Sequence, residues 1–254
     1  MNSVISFMRI GQQGVIIWDD DIKIGIDLFL SPDKDRLLKN VVTIDDLADV
    51  DILFGTHDHL DHIDRDMWTE AAGRFPDLMF CAPLIFADTL PVELGIDKER
   101  FIFVDENSPA KFKGIDINAI PAAHEFPDES DEGLHPYLMY VITIGDKRIC
   151  HMGDTCLYEG IYAKLRNYTP YDVMFLPING RDAIRYADNC IGNMTYQEAA
   201  DVTGVINPML AVPGHYDMFA FNGEDPQKYI DYVKIKYPAQ NVRICKTGEE
   251  VVIS

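Results

Sequence analysis

The sequence predicts an α/β chain. It reads as one domain, residues 1–254, in which two β-sheets pack face to face with helices on the outside. Three observations lead there. Short apolar runs separated by turn residues open the chain as a meander and then alternate with segments of helical period. That order recurs roughly in both halves. With 47% hydrophobic residues over 254 positions, the chain has an ordinary globular composition and enough length to enclose a sizeable core.

In order, Val4 to Ile10 reads as a strand, Gly11-Gln12-Gln13-Gly14 as a turn and Val15 to Trp18 as a second strand. Ile22 to Leu28 follows the polar turn Asp19-Asp20-Asp21 as a third, with Asp27 read as a solvated acid at its end as readily as a site residue. Ser31 to Lys39 is loop-like, and Thr43 to Leu47 a short capped helix. Val50 to Phe54 is a buried strand. Asp64 to Phe75 is a helix with Met67, Trp68, Ala71 and Ala72 as its apolar stripe. Leu78 to Ala82 is a strand, and one helix is expected from Pro83 to Leu94, closed by Gly95. Phe101 to Val104 and Lys111 to Ile120 are strands, and Glu125 to Gly133 is an acidic loop placed to act as a lid. Tyr137 to Ile144 and Arg148 to Met152 form a hairpin around Gly145-Asp146-Lys147. Tyr158 to Arg166 is a helix and Asp172 to Ile178 a strand. Thr195-Tyr196-Gln197-Glu198 is a capping box opening a helix to about Val205. Met209 to Val212 is a strand, Pro226 to Lys236 a helix, and Val242 to Val252 a final hairpin around Gly248.

Charge narrows the partners. A net charge of −20 with no Lys/Arg cluster excludes a phosphate-neutralising footprint, so neither nucleic acid nor an anionic membrane is expected as a partner. A small-molecule substrate is expected instead, and a homo-oligomer remains open. No apolar run reaches membrane-spanning length, and no basic region precedes an apolar core near the start; a cytoplasmic location is expected. The five cysteines are scattered without a CxxC pair, which argues for packed thiols rather than disulfides or a thiolate site. Of these, Cys156 lies beside a proposed ligand.

The chemistry concentrates in Gly55-Thr56-His57-Asp58-His59-Leu60-Asp61-His62, where three of the seven histidines fall within six residues between a strand and a helix. Imidazole and carboxylate together suit a divalent metal. In an extended segment His57 and His59 share a face and can chelate one ion, while Asp61 and His62 lie where the chain turns and reach a second. Two neighbouring cations need a bridging anion, for which Asp154 is the candidate. His124 and His215, each at a strand end, complete the two shells. Asp58 and His151 are placed behind the ligands as hydrogen-bonding supports, with a core histidine an equal reading for His151. His135 reads as an ordinary satisfied histidine.

His57-x-His59-x-Asp61-His62, a later His, a Gly-Asp and a final Gly-His resemble the metallo-β-lactamase superfamily. Further patches are similar to its L-ascorbate-6-phosphate lactonase branch: the run 56–64, Asp-Lys-Glu-Arg at 97–100, His-x-Gly-Asp-Thr at 151–155, Tyr-Ala-Lys at 162–164, Asn-Met-Thr at 193–195 and Pro-Gly-His-Tyr-Asp-Met-Phe at 213–219. The resemblance implies a four-layer αββα sandwich and two divalent ions, manganese or zinc. By it, His57, His59 and His124 hold one ion, Asp61, His62 and His215 the other, and Asp154 lies between them. It further implies hydrolysis of a small lactone or ester, with Asp61 accepting or relaying the proton of the attacking water. Substrate contacts are expected from Asn179, Arg181 and Arg185. A small-molecule phosphodiesterase on the same core, or a metal-binding protein without activity, stands as the alternative. Specificity is expected from the segments around 124–135 and 179–194.

Overall fold

The computed structural model describes residues 3–254 and contains two sheets. In the first sheet, β1 (Ile5–Gly11), β2 (Gly14–Trp18) and β3 (Lys23–Ile26) form the antiparallel meander, and β4 (Ile52–Phe54), β5 (Met79–Pro83) and β6 (Phe101–Val104) continue it in parallel. The second sheet runs β7 (Ala110–Phe112), β8 (Ile115–Pro121), β9 (Leu138–Ile144) and β10 (Lys147–His151) antiparallel. β11 (Val173–Pro177) and β12 (Leu210–Gly214) then add in parallel. β13 (Glu250–Ile253) pairs antiparallel with β1. Each sheet is thus a meander followed by parallel strands, which is the duplicated order legible in the chain.

The inner faces meet in one core: Phe7 packs edge-on against Phe175 at 5.0 Å and Phe54 against Tyr140 at 5.3 Å. Helices cover the outer faces. On the first sheet, α1 (Arg65–Arg74) buries Met67, Trp68 and Ala71, with Trp68 against Phe80, and the short α2 (Leu90–Leu94) lies beside it. On the second, α3 (Ile161–Arg166), α5 (Tyr196–Ile206) and α6 (Pro226–Lys236) pack through Leu165, Ala199, Val202, Tyr229 and Val233. Between α3 and α5 a further short helix, α4 (Ala183–Ala187), follows β11. The four layers are helix, sheet, sheet, helix, as expected. Among the described residues no helix is long and apolar enough to cross a membrane.

Three expected elements differ. The helix expected from Pro83 to Leu94 is a 3-10 turn, Leu84–Phe86, and then α2, with Ala87 to Thr89 between them. Lys111 to Ile120 is two strands, β7 and β8, because Lys113 and Gly114 both take left-handed φ (42° and 87°) and turn the chain back as a tight hairpin. The hairpin expected over 242–252 does not close on itself. Val242 bridges to Ala211 of the second sheet and β13 to β1 of the first, so each half finds a longer partner than the other. α4 was missing from the sequence reading, although Asp182 caps it by accepting from the amides of Ile184 and Arg185.

Candidate metal centre

Each cluster residue follows a strand. The loop after β4 carries His57 to His62, and the loops after β8, β10 and β12 carry His124, Asp154 and His215. Gly55 starts the histidine loop where a Cβ would sit 2.3 Å from Ile63, and its carbonyl accepts from the Tyr140 hydroxyl at 2.8 Å. Asp64 closes the loop: its carboxylate accepts from the amides of Leu30, Ser31 and Met67, capping α1 and tying the loop to the strand-3 side of the sheet.

The structure brings seven of the expected residues together. His57, His59 and His124 each offer a ligand atom within 4.8 Å of the others, and so do Asp61, His62 and His215. Asp154 joins His57 and His62 in a third such group, which places it between the two sets. Its carboxylate lies 3.4 Å from His62 Nε2, 3.1 Å from His215 Nε2 and 3.7 Å from His124 Nε2. The donor set fits divalent cations. His62 Nε2 and Asp154 Oδ1 are buried and have no hydrogen-bond partner, a costly state that a coordinated ion removes.

Electrostatics divide the set. Burial, helped by the neighbouring imidazoles, lowers His57 well below its usual value and takes His124 down to about 4, so both are neutral ligands at pH 7. Burial also opposes charge on His62 and His215, but Asp154 and the other carboxylates outweigh it; His62 rises well above its usual value and His215 to about 9. Asp61 and Asp154 resist burial in turn because these two imidazoles hold them ionised, well below the usual carboxylate range. In the ion-free protein, protons therefore stand in for part of the positive charge that cations would bring.

Two further residues support the ligands: Asp27, which the sequence left open between a site residue and a solvated acid, and Gln12, which it did not mark. Asp27 is buried, not solvated. It accepts from the Thr56 amide and hydroxyl, both at 2.8 Å, and from His62 Nδ1 at 2.7 Å, which turns His62 Nε2 toward Asp154. The signal was its setting, a lone acid between apolar runs. Gln12, in the turn between β1 and β2, donates from Nε2 to Asp61 Oδ2 at 3.0 Å. Its backbone amide donates to Asp217 Oδ1 at 2.9 Å and its carbonyl accepts from the amide of His215 at 2.8 Å, so that turn fixes the His215 loop. Arg9 reinforces it through Asp217, the Tyr216 hydroxyl and the Gln12 carbonyl. Nothing in Gly-Gln-Gln-Gly foretold this. Among the described residues seven non-glycine positions take left-handed φ, and five of them lie next to a ligand, behind one or in the cleft wall: Gln12, Asp27, Glu125, Asn189 and His215.

The expected supporting residues hydrogen-bond no ligand side chain, although His151 Nδ1 accepts from the Gly153 amide beside Asp154 at 3.3 Å. Asp58 is exposed and pairs with Arg65 at 2.6 Å, because its side chain leaves the loop toward α1, so it hydrogen-bonds no ligand imidazole. His151 is a core histidine joined to the Gln13 carbonyl at 2.9 Å. Cys156 donates to the Gly192 carbonyl at 3.4 Å. His135 is satisfied by Asp105 at 2.7 Å.

The ligands open on a cleft of about 330 Å³. It is also lined by Leu60, Asn189, Cys190, Ile191, Phe219 and Phe221, and no Lys or Arg lines it. The expected substrate contacts have other partners. Asn179 is buried and joined to Asn222 and Asn193. Arg181 forms a two-pronged pair with Glu198, at 2.7 and 2.8 Å. Arg185 pairs with Asp182 and donates to the Asn179 carbonyl. Strand ends position these residues near the cleft, but their polar atoms brace the loops around it. The acidic 125–133 loop lines no part of the cleft.

Residues 18–216 match the family model described as the beta-lactamase superfamily domain. The chain belongs to that family. Relatives of this superfamily chain include a protein named as a metal-dependent hydrolase from Caldivirga maquilingensis, 29% identical over 212 residues and 82% of each chain. Another so named, from Pyrococcus abyssi, is 26% identical over 230 residues, 90% of this chain and 91% of its own. Among solved structures, Igni18, a metallo hydrolase from Ignicoccus hospitalis, superposes with a TM-score of 0.77 at 24% identity over 99% of both chains. A possible metal-dependent hydrolase from Veillonella parvula gives 0.75 at 16% identity over 97% of this chain and 98% of its own. At these identities the superpositions speak to the superfamily fold.

Proposed function

We propose that the protein is a metal-dependent hydrolase of a small-molecule lactone or ester, holding two divalent ions, manganese or zinc, in keeping with its sequence resemblance to the L-ascorbate-6-phosphate lactonase branch. One observation carries the reading: two largely buried ligand triads, with Asp154 grouped beside both, open on a substrate-sized cleft. Relatives named as metal-dependent hydrolases support the reaction class.

His57, His59 and His124 would hold one ion, Asp61, His62 and His215 the other, and Asp154 would face both. Ions bound there supply Lewis acidity toward a carbonyl oxygen and bring the pKa of water toward neutrality. The remaining work falls to the chain. Asp61 lines the cleft beside the ligand cluster, so its carboxylate would accept the proton of an attacking water and return it to the departing alkoxide. Gln12 Nε2 fixes that carboxylate by bonding Oδ2, which limits its rotation. Leu60, Ile191 and Phe219 displace water from the substrate side.

The test is metal analysis of the purified protein joined to a lactone and aryl-ester panel run against bis(p-nitrophenyl) phosphate. The expected result is two ions per chain and carbonyl-ester turnover that Asp154→Asn abolishes. Preference for the phosphodiester would replace this reading with the phosphodiesterase, and two bound ions without turnover of either class would leave a metal-binding protein.

A further inference from the structure

The cleft does not end at the ligands. Asp188, Cys190 and Phe221 line it and also line a second hollow of about 540 Å³, whose other walls are Asp182, Ile184 and Arg185. The two hollows therefore adjoin along the segment following α4, and together they form a channel-like surface from the ligand cluster outward. Its outer end presents large apolar side chains to water: Ile184 is 78% exposed and Phe221 58%. Scattered exposed apolar residues are ordinary, but these two face each other across a hollow continuous with a candidate reaction centre.

Charge in the channel is the second consideration. Arg185 is its single cation, and that guanidinium is engaged: Nε lies 3.1 Å from Asp182, and Nη1 donates to the carbonyls of Asn179 (2.5 Å) and Gly180 (3.3 Å). Asp182 is in turn held by two amides of α4, so the pair is internally satisfied. Asp188 adds a carboxylate at the junction. An anionic group entering here would meet Asp188 with no free cation to balance it, inside a protein of net charge −20.

The geometry points to a substrate whose reacting carbonyl sits at the ligand cluster and whose uncharged, apolar group lies along Ile184, Cys190 and Phe221. This rests on the hydrolase reading and narrows it, to esters and lactones bearing a neutral acyl or alkyl chain rather than a phosphate. Ile184 and Phe221 are its specificity-determining residues.

The experiment uses the full chain loaded with manganese or zinc and compares kcat/KM for p-nitrophenyl octanoate, acetate, hemisuccinate and 6-aminohexanoate. Octanoate should exceed acetate by about tenfold or more, and both charged esters should fall below octanoate. Phe221→Ala and Ile184→Ala should each lower the octanoate-to-acetate ratio several-fold, while Ile235→Ala, an exposed apolar position on α6, leaves it unchanged. A ratio near one, a preference for either charged ester, or a ratio unmoved by Phe221→Ala overturns the assignment. Turnover of none of the four esters would count against the hydrolase reading. In that event calorimetric titration of the loaded protein with octanamide and acetamide decides the channel. Octanamide binding weakened by Phe221→Ala upholds it, and no octanamide binding overturns it.

Discussion

Replacing Asp27 by Asn tests how the centre is held together. The carboxylate accepts three hydrogen bonds: Oδ1 from the Thr56 amide, and Oδ2 from the Thr56 hydroxyl and His62 Nδ1. Asparagine is nearly isosteric and tolerates the left-handed φ of 50°, so the backbone has no reason to move. If its oxygen keeps the Thr56 amide, its NH2 faces the other two donors. The Thr56 hydroxyl can turn to accept, but His62 Nδ1 must then give up its proton and Nε2 must carry it, which blocks Nε2 as a ligand. If the amide is flipped, the buried Thr56 N–H loses its acceptor instead. Supporting carboxylates of this kind are worth about 10–100-fold in metal affinity, or about 1.4–2.8 kcal/mol. The lost charge-assisted bond should also lower the stability of the metal-free fold by about 1.5–3 kcal/mol. Titration calorimetry with manganese and zinc reads the first quantity, and urea denaturation the second. Asp27→Ala should be less stable again, by about 1–2 kcal/mol, because alanine resists the left-handed backbone. A well-folded Asp27→Asn protein whose metal affinity stays within about twofold of the parent would refute the claim that Asp27 sets the His62 tautomer.

Gln12→Leu removes the bond to Asp61 together with a buried amide oxygen that has no partner. Metal affinity should fall several-fold while stability changes by less than about 1 kcal/mol, since the two losses offset; calorimetry and denaturation check both. Chelation should lower the Tm. Ions at about 100 times their Kd contribute about 2.7 kcal/mol, so a melting curve indifferent to chelator would show that the native fold binds no ion. Glu198→Gln keeps the cap of α5 but breaks the ion pair with Arg181, costing about 1 kcal/mol at pH 7. Partial burial raises the Glu198 pKa, but Arg181 and the Thr195 amide outweigh it and the net shift is downward from 4.5. The pair's contribution is therefore present above about pH 4.5 and is lost as the pH falls through the folded value, so parent and variant should converge in denaturation curves at acid pH.

How much was legible follows from where each signal resides. The His57 to His62 loop announced itself because its ligands are neighbours in sequence, and Asp154, His124 and His215 because each ends an apolar strand. Asp58 misled for the same reason. Adjacency to the ligands said nothing about side-chain direction, and the structure turns it toward Arg65. Arg181 and Arg185 read as free cations because their partners, Glu198 and the Asn179 carbonyl, are settled by how the 179–195 segment folds back on itself.

By itself the sequence determined the alternation of strand and helix, the capping of α5 and the identity of the side chains that gather at the candidate metal centre. These depend on residue type and short-range spacing, which the chain carries locally. Only the tertiary structure decided which groups stand behind the ligands and what the cleft is made of. Gln12 reaches Asp61 across 49 positions and Asp27 reaches His62 across 35, contacts that exist only once the β1–β2 turn and the end of β3 pack beside the loop after β4. The apolar channel likewise joins Ile184 on α4 to Phe221, far along the chain, through a packing that no local pattern specifies.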